Sequence, residues 1–192
     1  NFTPTFASYL GLLSQAVGVG GVLVFGFVAS WIFGSEFSQN TVKDLLALPA
    51  SRSSILHAKF VTYVLWCIAL VFSNLLLGII LSSIIRPDGW NDLTILNAMM
   101  PTYLVTSLFT IALGTPIAFC ALAGRGYLAP LGLACGMLVL AQVLGAAGSG
   151  AYFPYAVPGL YSGVSPAHRL QLNEFSFASV YITGVLGYFA SL

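Results

Sequence analysis

Between two long apolar runs the sequence reads Gly34-Ser-Glu-Phe-Ser-Gln-Asn-Thr-Val-Lys-Asp-Leu-Leu-Ala-Leu-Pro-Ala-Ser-Arg-Ser-Ser-Ile-Leu-His-Ala-Lys59. This polar segment, residues 34–59, contains Glu36, Lys43, Asp44, Arg52 and Lys59, which are five of the 11 charged residues of the chain. Almost everything outside it is apolar. The polar segment is therefore where we expect the protein to contact something soluble.

The composition indicates that this protein is surrounded by lipid rather than by water. Charged residues make up 6% of the 192 residues and hydrophobic residues 58%, against about 25% and about 45–50% in soluble domains. We therefore predict an all-α, polytopic integral membrane protein whose main partner is the lipid bilayer. The net charge of +1 comes without a cluster of Lys and Arg, so no nucleic-acid partner is expected.

Five runs are long enough to cross a membrane, since a transmembrane helix needs about 20 mostly apolar residues. The predicted spans are residues 11–33, 60–85, 101–122, 127–147 and 175–192. The loops on one side carry four Lys or Arg residues and those on the other side two. Because cytoplasmic loops are enriched in these residues, residues 34–59 are predicted to be cytoplasmic and residues 148–174 extracytoplasmic.

The stretch from Gly148 to Pro166 is neither an ordinary loop nor a span. It is rich in Tyr and Phe and is interrupted by Pro154, Pro158 and Pro166. Non-helical backbone at membrane depth requires protein or water around it, and aromatic residues with a polar tip favour the headgroup level. Short re-entrant or interfacial pieces and a plain surface loop both fit this composition.

Small residues and prolines mark positions of close packing or bending. Pro101 suits the first turn of the third span, where its missing N–H costs nothing, and Gly114-Thr-Pro116 predicts a kink in the same span. Internal packing and a dimer contact both explain the small residues of the first and fourth spans. These are Gly18, Gly20, Gly21, Gly26, Gly132 and Gly136.

The sequence lacks the patterns of several chemistries. Neither lysine is preceded by Gly, so there is no Walker A loop for a nucleotide, and two histidines without an HExxH pattern predict no zinc site. No serine stands in a Gly-x-Ser-x-Gly elbow, and the three cysteines are widely spaced within apolar runs. We expect no catalytic residue, no metal site and no cofactor bound by this chain, which is therefore not an enzyme.

The five predicted spans contain no Asp, Glu, Lys, Arg or His. Ion-coupled transporters usually carry such residues in their spans. The polar residues of the predicted spans are amides and hydroxyls. Gln15, Asn74 and Gln142 are candidates for a substrate path, and interhelical hydrogen bonding is the alternative role for them. Energy for any transport must then enter from outside the membrane.

The polar segment contains two helix signals and one isolated carboxylate. Glu36 falls at the end of the first span, where the helix dipole disfavours a negative charge, so we predict that it pairs with Arg52 or Lys59. Asn40 or Thr41 is placed to cap a short amphipathic helix from Val42 to Leu48, which Pro49 ends. Ser51 or Ser53 is placed to cap a second helix that runs into the second span.

These residues resemble the membrane subunits of ABC-2 type transporters, the permeases of bacterial exporters. The resemblance lies in Glu36, Thr41, Leu45-Leu46, Pro49, Ser51-Arg52, Ile55-Leu56 and Lys59. Asn40 departs from the family pattern, which often has Gly before the Thr. The chain starts with Asn rather than Met, and if it lacks the first of the family's six spans, its five spans match the remaining ones.

The resemblance implies a multi-pass protein of the bacterial inner membrane that works as a homodimer or as a heterodimer with a second permease. It also implies a separate ABC ATPase, which binds the ATP and Mg and receives the coupling helix. The coupling residues would be Thr41, Val42, Leu45, Leu46 and Pro49. We expect export of an amphipathic or hydrophobic substrate, such as a peptide antibiotic or a lipid-like molecule, along a dimer interface lined by the first and fourth spans.

Two alternatives stay open at this point. The Val42–Leu48 helix could be an interfacial anchor that packs its leucines among headgroups. The whole chain could also be a non-transporting membrane scaffold or assembly subunit.

Overall fold

A computed structural model describes residues 5–38, 51–90, 92–163 and 172–192. These residues are helical apart from short connections and an isolated bridge between Thr5 and Asp88. The helices are α1 (Phe6–Gln15), which continues through a π-helical turn (Ala16–Gly20) into α2 (Gly21–Ser38), α3 (Arg52–Ile85), α4 (Leu93–Ala112), α5 (Thr115–Ala123), α6 (Leu128–Ala146), α7 (Val157–Ser162) and α8 (Glu174–Ser191). Two 3₁₀ turns, Gly150–Tyr152 and Pro154–Ala156, precede α7.

The all-helical, polytopic fold is as predicted. In the described part of the chain, four helical stretches are long and apolar enough to cross a membrane: Phe6–Phe37, Arg52–Ile85, Leu93–Ala123 and Leu128–Ala146. The fifth predicted span forms the 18-residue helix α8, which is not among those four. The count of five spans therefore stays a prediction.

Helices α3 and α4 begin eight residues before the predicted apolar runs because polar residues cap them. Ser51 caps α3 by accepting a hydrogen bond from the Ser54 N–H at 3.2 Å, as one of the two predicted caps. Asp92 caps α4, and its hydrogen bonds from the hydroxyl and the N–H of Thr94 hold the pKa of the Asp92 carboxyl below its usual value. The placement of Pro101 in a first turn is wrong, because this cap starts α4 at Leu93 and leaves Pro101 inside the helix.

The third predicted span is interrupted where Gly114-Thr-Pro116 predicts a kink. α4 ends at Ala112 and α5 begins at Thr115. Hydroxyl groups from three elements bind the carbonyls around this break. Tyr63 of α3 donates to the Ile111 carbonyl at 2.9 Å, Tyr155 donates to Leu113 at 3.1 Å, and Thr115 donates to Gly184 at 2.6 Å.

Helix α8 lies against this break with no side chain between the backbones. A Cβ added to Gly187 would lie 2.5 Å from the Pro116 nitrogen, and one added to Gly184 would lie 3.3 Å from the Ala112 carbonyl oxygen. Residue 187 must be glycine for so close an approach, because the atoms that face it belong to the main chain or to the ring of Pro116.

The segment after α6 is folded into short helical pieces rather than extended over the surface. Tyr155, Val157 and Leu160 are buried, and α7 packs against the π-helical turn and α4. A Cβ at Gly18 of the π-helical turn would lie 2.7 Å from the Pro158 carbonyl oxygen. The described residues of this segment thus form short helical pieces rather than a plain surface loop. Their depth in a bilayer stays a prediction.

Helices α2 and α3 differ in how much of them is covered. The most apolar window of the first stretch, Phe6–Phe37, is 50% buried inside the protein, whereas that of Arg52–Ile85 is 17% buried. α2 packs on α5 and α6 in the middle of the described helices. α3 lies at the periphery of the described helices and has most of its apolar side chains exposed.

Candidate functional site: a charged joint and a neutral cavity

The charged joint connects the two ends of the polar segment. Lys59 Nζ of α3 lies 2.5 Å from Glu36 Oε2 of α2. Of the two predicted partners of Glu36, Lys59 is the one placed in contact, and Arg52 begins α3 with an exposed side chain. The Lys59 and Glu36 side chains are 14% and 25% exposed. The pair therefore fixes the distance between α2 and α3 where the polar segment leaves and re-enters the helices.

Aromatic rings extend this joint to α8. The Lys59 ammonium lies 5.9 Å from the centroid of the Phe33 ring, which contacts Phe60 at 4.7 Å between centroids. Phe60 in turn contacts Tyr188 of α8 at 4.9 Å, and His57 lies 6.0 Å from Tyr188. The start of α3 is therefore in direct contact with both α2 and α8.

The predicted coupling residues fall elsewhere in the polar segment. Thr41, Val42, Leu45, Leu46 and Pro49 lie outside the described residues. Their role therefore stays a prediction from the sequence.

A double-mutant cycle tests the strength of the joint. Glu36→Gln and Lys59→Met are each expected to lower the free energy of unfolding by about 1–2 kcal/mol, because each removes the ion pair between two partly buried side chains. The double variant is expected to lose less than the sum of the two single losses. Denaturant unfolding of purified protein in detergent micelles measures all four proteins; additive losses would contradict a direct interaction.

A neutral cavity of about 450 Å³ lies between α1, α6 and the short pieces before and including α7. Gln15 at the end of α1 and Gln142 of α6 both line it, and both are exposed. The rest of the lining is small or apolar, including Gly18, Gly145 and Gly159. In the described chain no charged side chain lines this cavity, so it suits a neutral or amphipathic group held by amide hydrogen bonds.

The π-helical turn shapes one wall of the cavity. It spans Ala16–Gly20 directly after Gln15, and single π-helical turns inside α-helices are frequent at functional sites. Gly18 and Gly159 allow the backbones of this turn and α7 to meet, because a Cβ at either position would come within 3.0 Å of the other element. The cluster of glycines in the first span was visible in the sequence, but the widened helical turn was not.

Asn74, the third candidate for the path, is not brought to this cavity. Its Oδ1 lies 3.1 Å from the hydroxyl of Tyr103, which also donates to the Val71 carbonyl at 2.8 Å. Asn74 is therefore part of an interhelical hydrogen bond between α3 and α4. This is the alternative role that the sequence left open.

The small residues divide into two groups. Gly18, Gly21 and Gly26 contact other elements of the same chain. A Cβ at Gly20 of the π-helical turn, or at Gly132 or Gly136 of α6, would meet no described atom within 4 Å. Internal packing thus accounts for the first group but not, within the described residues, for the second.

Apolar helices, a neutral cavity and a charged joint beside the polar segment define a polytopic membrane transport component. The family model described as ABC-2 family transporter protein matches residues 7–141. This chain therefore belongs to the ABC-2 transporter family. It is the membrane subunit of an ABC transporter and a multi-pass bacterial membrane protein. Members of this family are transport components rather than catalysts and generally work with an ATPase subunit.

A curated relative is the bacitracin transport permease protein BCRB of Bacillus licheniformis, which is 29% identical over 187 residues. The match covers 90% of this chain and 82% of that protein. No solved structure gives a significant match to the chain.

Proposed function

We propose that this chain is the permease of an ATP-driven exporter that moves an amphipathic peptide antibiotic out of the cell. The observation that carries the proposal is the ABC-2 family match together with a neutral, amide-lined cavity between α1 and α6. The similarity to a bacitracin transport permease makes bacitracin the first substrate to test. A peptide of mixed polar and apolar groups suits a lining that combines two amides with Leu138, Leu160 and small residues.

Energy would come from a separate ABC ATPase that binds ATP and Mg. The polar segment would receive its movement through the Thr41–Pro49 stretch. Glu36 and Lys59 then connect that movement to α2 and α3, and the Phe33–Phe60–Tyr188 rings connect it to α8. Because α2 continues without interruption from the wall of the cavity, this route joins the two parts of the candidate site.

A second permease subunit would complete the path. The open positions of Gly132 and Gly136 give α6 a surface on which another helix could approach closely. The neutral cavity lies between this helix and the first one. We propose that a homodimer or heterodimer encloses the substrate along these two helices, as the family resemblance implies.

Purification of the tagged protein from its native membranes tests the assignment to an ABC exporter. We expect an ATPase with a P-loop to co-purify at a fixed ratio, and we expect ATP-dependent uptake of bacitracin into inside-out vesicles. A complex that contains no ATPase would contradict the proposal and favour the scaffold alternative.

Replacement of Gln142 by Leu tests the cavity. Loss of one amide hydrogen bond to the substrate is expected to reduce ATP-dependent bacitracin uptake by about three- to tenfold. Val143→Leu is the matched control, because Val143 is the next residue of α6 and does not line the cavity. Equal uptake by the Gln142→Leu protein and wild type would remove Gln142 from the path.

A further inference from the structure

A second cavity, an apolar groove of about 710 Å³, opens at the periphery between α3, the end of α4 and α8. Its floor is formed by Phe60, Tyr63 and Gly184, which are buried. Its walls are exposed apolar side chains, among them Val61, Leu65, Ile68, Leu108 and Phe189. The function proposed above does not use this groove.

The chemistry of the groove favours a hydrocarbon chain. Four hydroxyl-bearing residues line it, and two of them already donate hydrogen bonds to carbonyls: Tyr63 of α3 to Ile111 and Thr115 of α5 to Gly184. The remaining lining is almost entirely apolar, with Tyr188 and Tyr181 at its α8 side. A peptide or polar drug would lose hydrogen bonds to water here without replacement, whereas an acyl chain would lose none.

One end of the groove reaches the polar start of α3. α3 has 34 residues, which gives a length of about 51 Å, well above the roughly 30 Å of the hydrocarbon core. His57 lines the groove three residues before the apolar run of α3 begins at Phe60. Its Nδ1 donates to the Ser53 carbonyl at 2.6 Å, so its Nε2 is the ring nitrogen left for another group.

The charge at this end is positive in the described residues. Arg52 and Lys59 belong to the start of α3, and Arg125 lies in the turn that packs on Gly34 of α2. The carboxylate present among them is Glu36, which pairs with Lys59. An anionic headgroup therefore meets a favourable field here, and a zwitterionic headgroup gains less.

We propose that this groove binds one acyl chain of an anionic phospholipid, with the headgroup at the positively charged start of α3. The lipid fills the space that separates α3 from α8 and joins the periphery of the protein to its centre. Binding requires neither ATP nor an ATPase nor a transport substrate. Its test is therefore independent of the proposed export function.

Native mass spectrometry of the purified full chain tests the proposal. The protein in mild detergent is given equimolar phosphatidylglycerol and phosphatidylcholine with identical acyl chains. We expect wild type to retain phosphatidylglycerol in about tenfold preference, because its headgroup has a net negative charge and that of phosphatidylcholine has none. Loss of all lipid from wild type, or equal retention of the two lipids, would overturn the proposal.

Two substitutions separate the groove from its headgroup end. Val64→Trp fills the groove and is expected to lower phosphatidylglycerol retention about tenfold. Leu76→Trp is the matched control on the same helix, exposed but outside the groove, and is expected to bind as wild type. Arg52→Gln removes one positive charge from the start of α3 and is expected to keep bound lipid but to lower the preference for phosphatidylglycerol.

The tryptophan variants also exclude other occupants. If Val64→Trp does not fold, as judged by elution volume and helical circular dichroism, Leu108→Trp fills the same groove from α4. Equal lipid retention by the groove and control variants would overturn the proposal. So would a groove variant that changed the oligomeric state instead of lipid binding, because a second protein chain would then be the occupant.

Discussion

Gly187→Ala is expected to destabilise the protein by about 3 kcal/mol, at the upper end of overpacking effects. The added Cβ would lie 2.5 Å from the Pro116 nitrogen and 2.8 Å from both Pro116 Cδ and the Thr115 carbonyl carbon. None of these atoms belongs to a flexible side chain that could turn away. α8 would have to move off the break between α4 and α5, which also stretches the hydrogen bond from Thr115 to Gly184.

Denaturant unfolding in detergent micelles measures this loss, with Gly20→Ala as the matched control. Both glycines are in helical backbone, but a Cβ at Gly20 meets no described atom within 4 Å. Alanine there is expected to be neutral or slightly stabilising, because glycine has the lower helix propensity. If both variants lost the same stability, crowding at the helix break would not be the cause.

Leu45→Ala combined with Leu46→Ala is expected to abolish ATP-driven export while membrane insertion continues. By the family resemblance these side chains enter the ATPase, and apolar anchors in such interfaces often contribute more than about 2 kcal/mol each. Loss of two anchors should reduce co-purification of the ATPase by more than about tenfold. Quantitative mass spectrometry of the purified complex and bacitracin uptake into vesicles give the two readouts.

Leu76→Ala combined with Leu77→Ala is the control for this variant. These neighbouring leucines lie on the exposed face of α3, where we expect contact with lipid alone. The control should keep both the ATPase and bacitracin uptake. Unchanged co-purification after substitution of Leu45 and Leu46 would instead favour the alternative in which their helix is an interfacial anchor.

Local chemistry allowed part of the fold to be predicted. The cap at Ser51 and the break at Gly114-Thr-Pro116 depend on residues that are adjacent in sequence, and both are present. The placement of Pro101 was wrong for a related reason. Apolarity marks the part of a helix that suits lipid, whereas the cap at Asp92 determines where the helix begins.

The candidate site was less accessible to sequence reasoning because it joins distant segments. Gln15 and Gln142 were selected for their polarity within apolar spans, and the structure brings both to one cavity. Asn74 met the same criterion but bonds to Tyr103 instead. No property of the residue type distinguishes these two outcomes, since an amide in a span satisfies either role.

By itself, the sequence determined that this protein lies in a lipid bilayer and which family of transport proteins it resembles. Six per cent charged residues cannot cover a soluble surface of 192 residues, and the motif around Glu36, Pro49 and Lys59 identified the family. Tertiary structure alone decided that Lys59 rather than Arg52 contacts Glu36, and that Tyr63 and Tyr155 bind the carbonyls at the helix break. The physical reason is that burial and caps follow from composition and local order, whereas the partner of a polar group depends on which helices pack together.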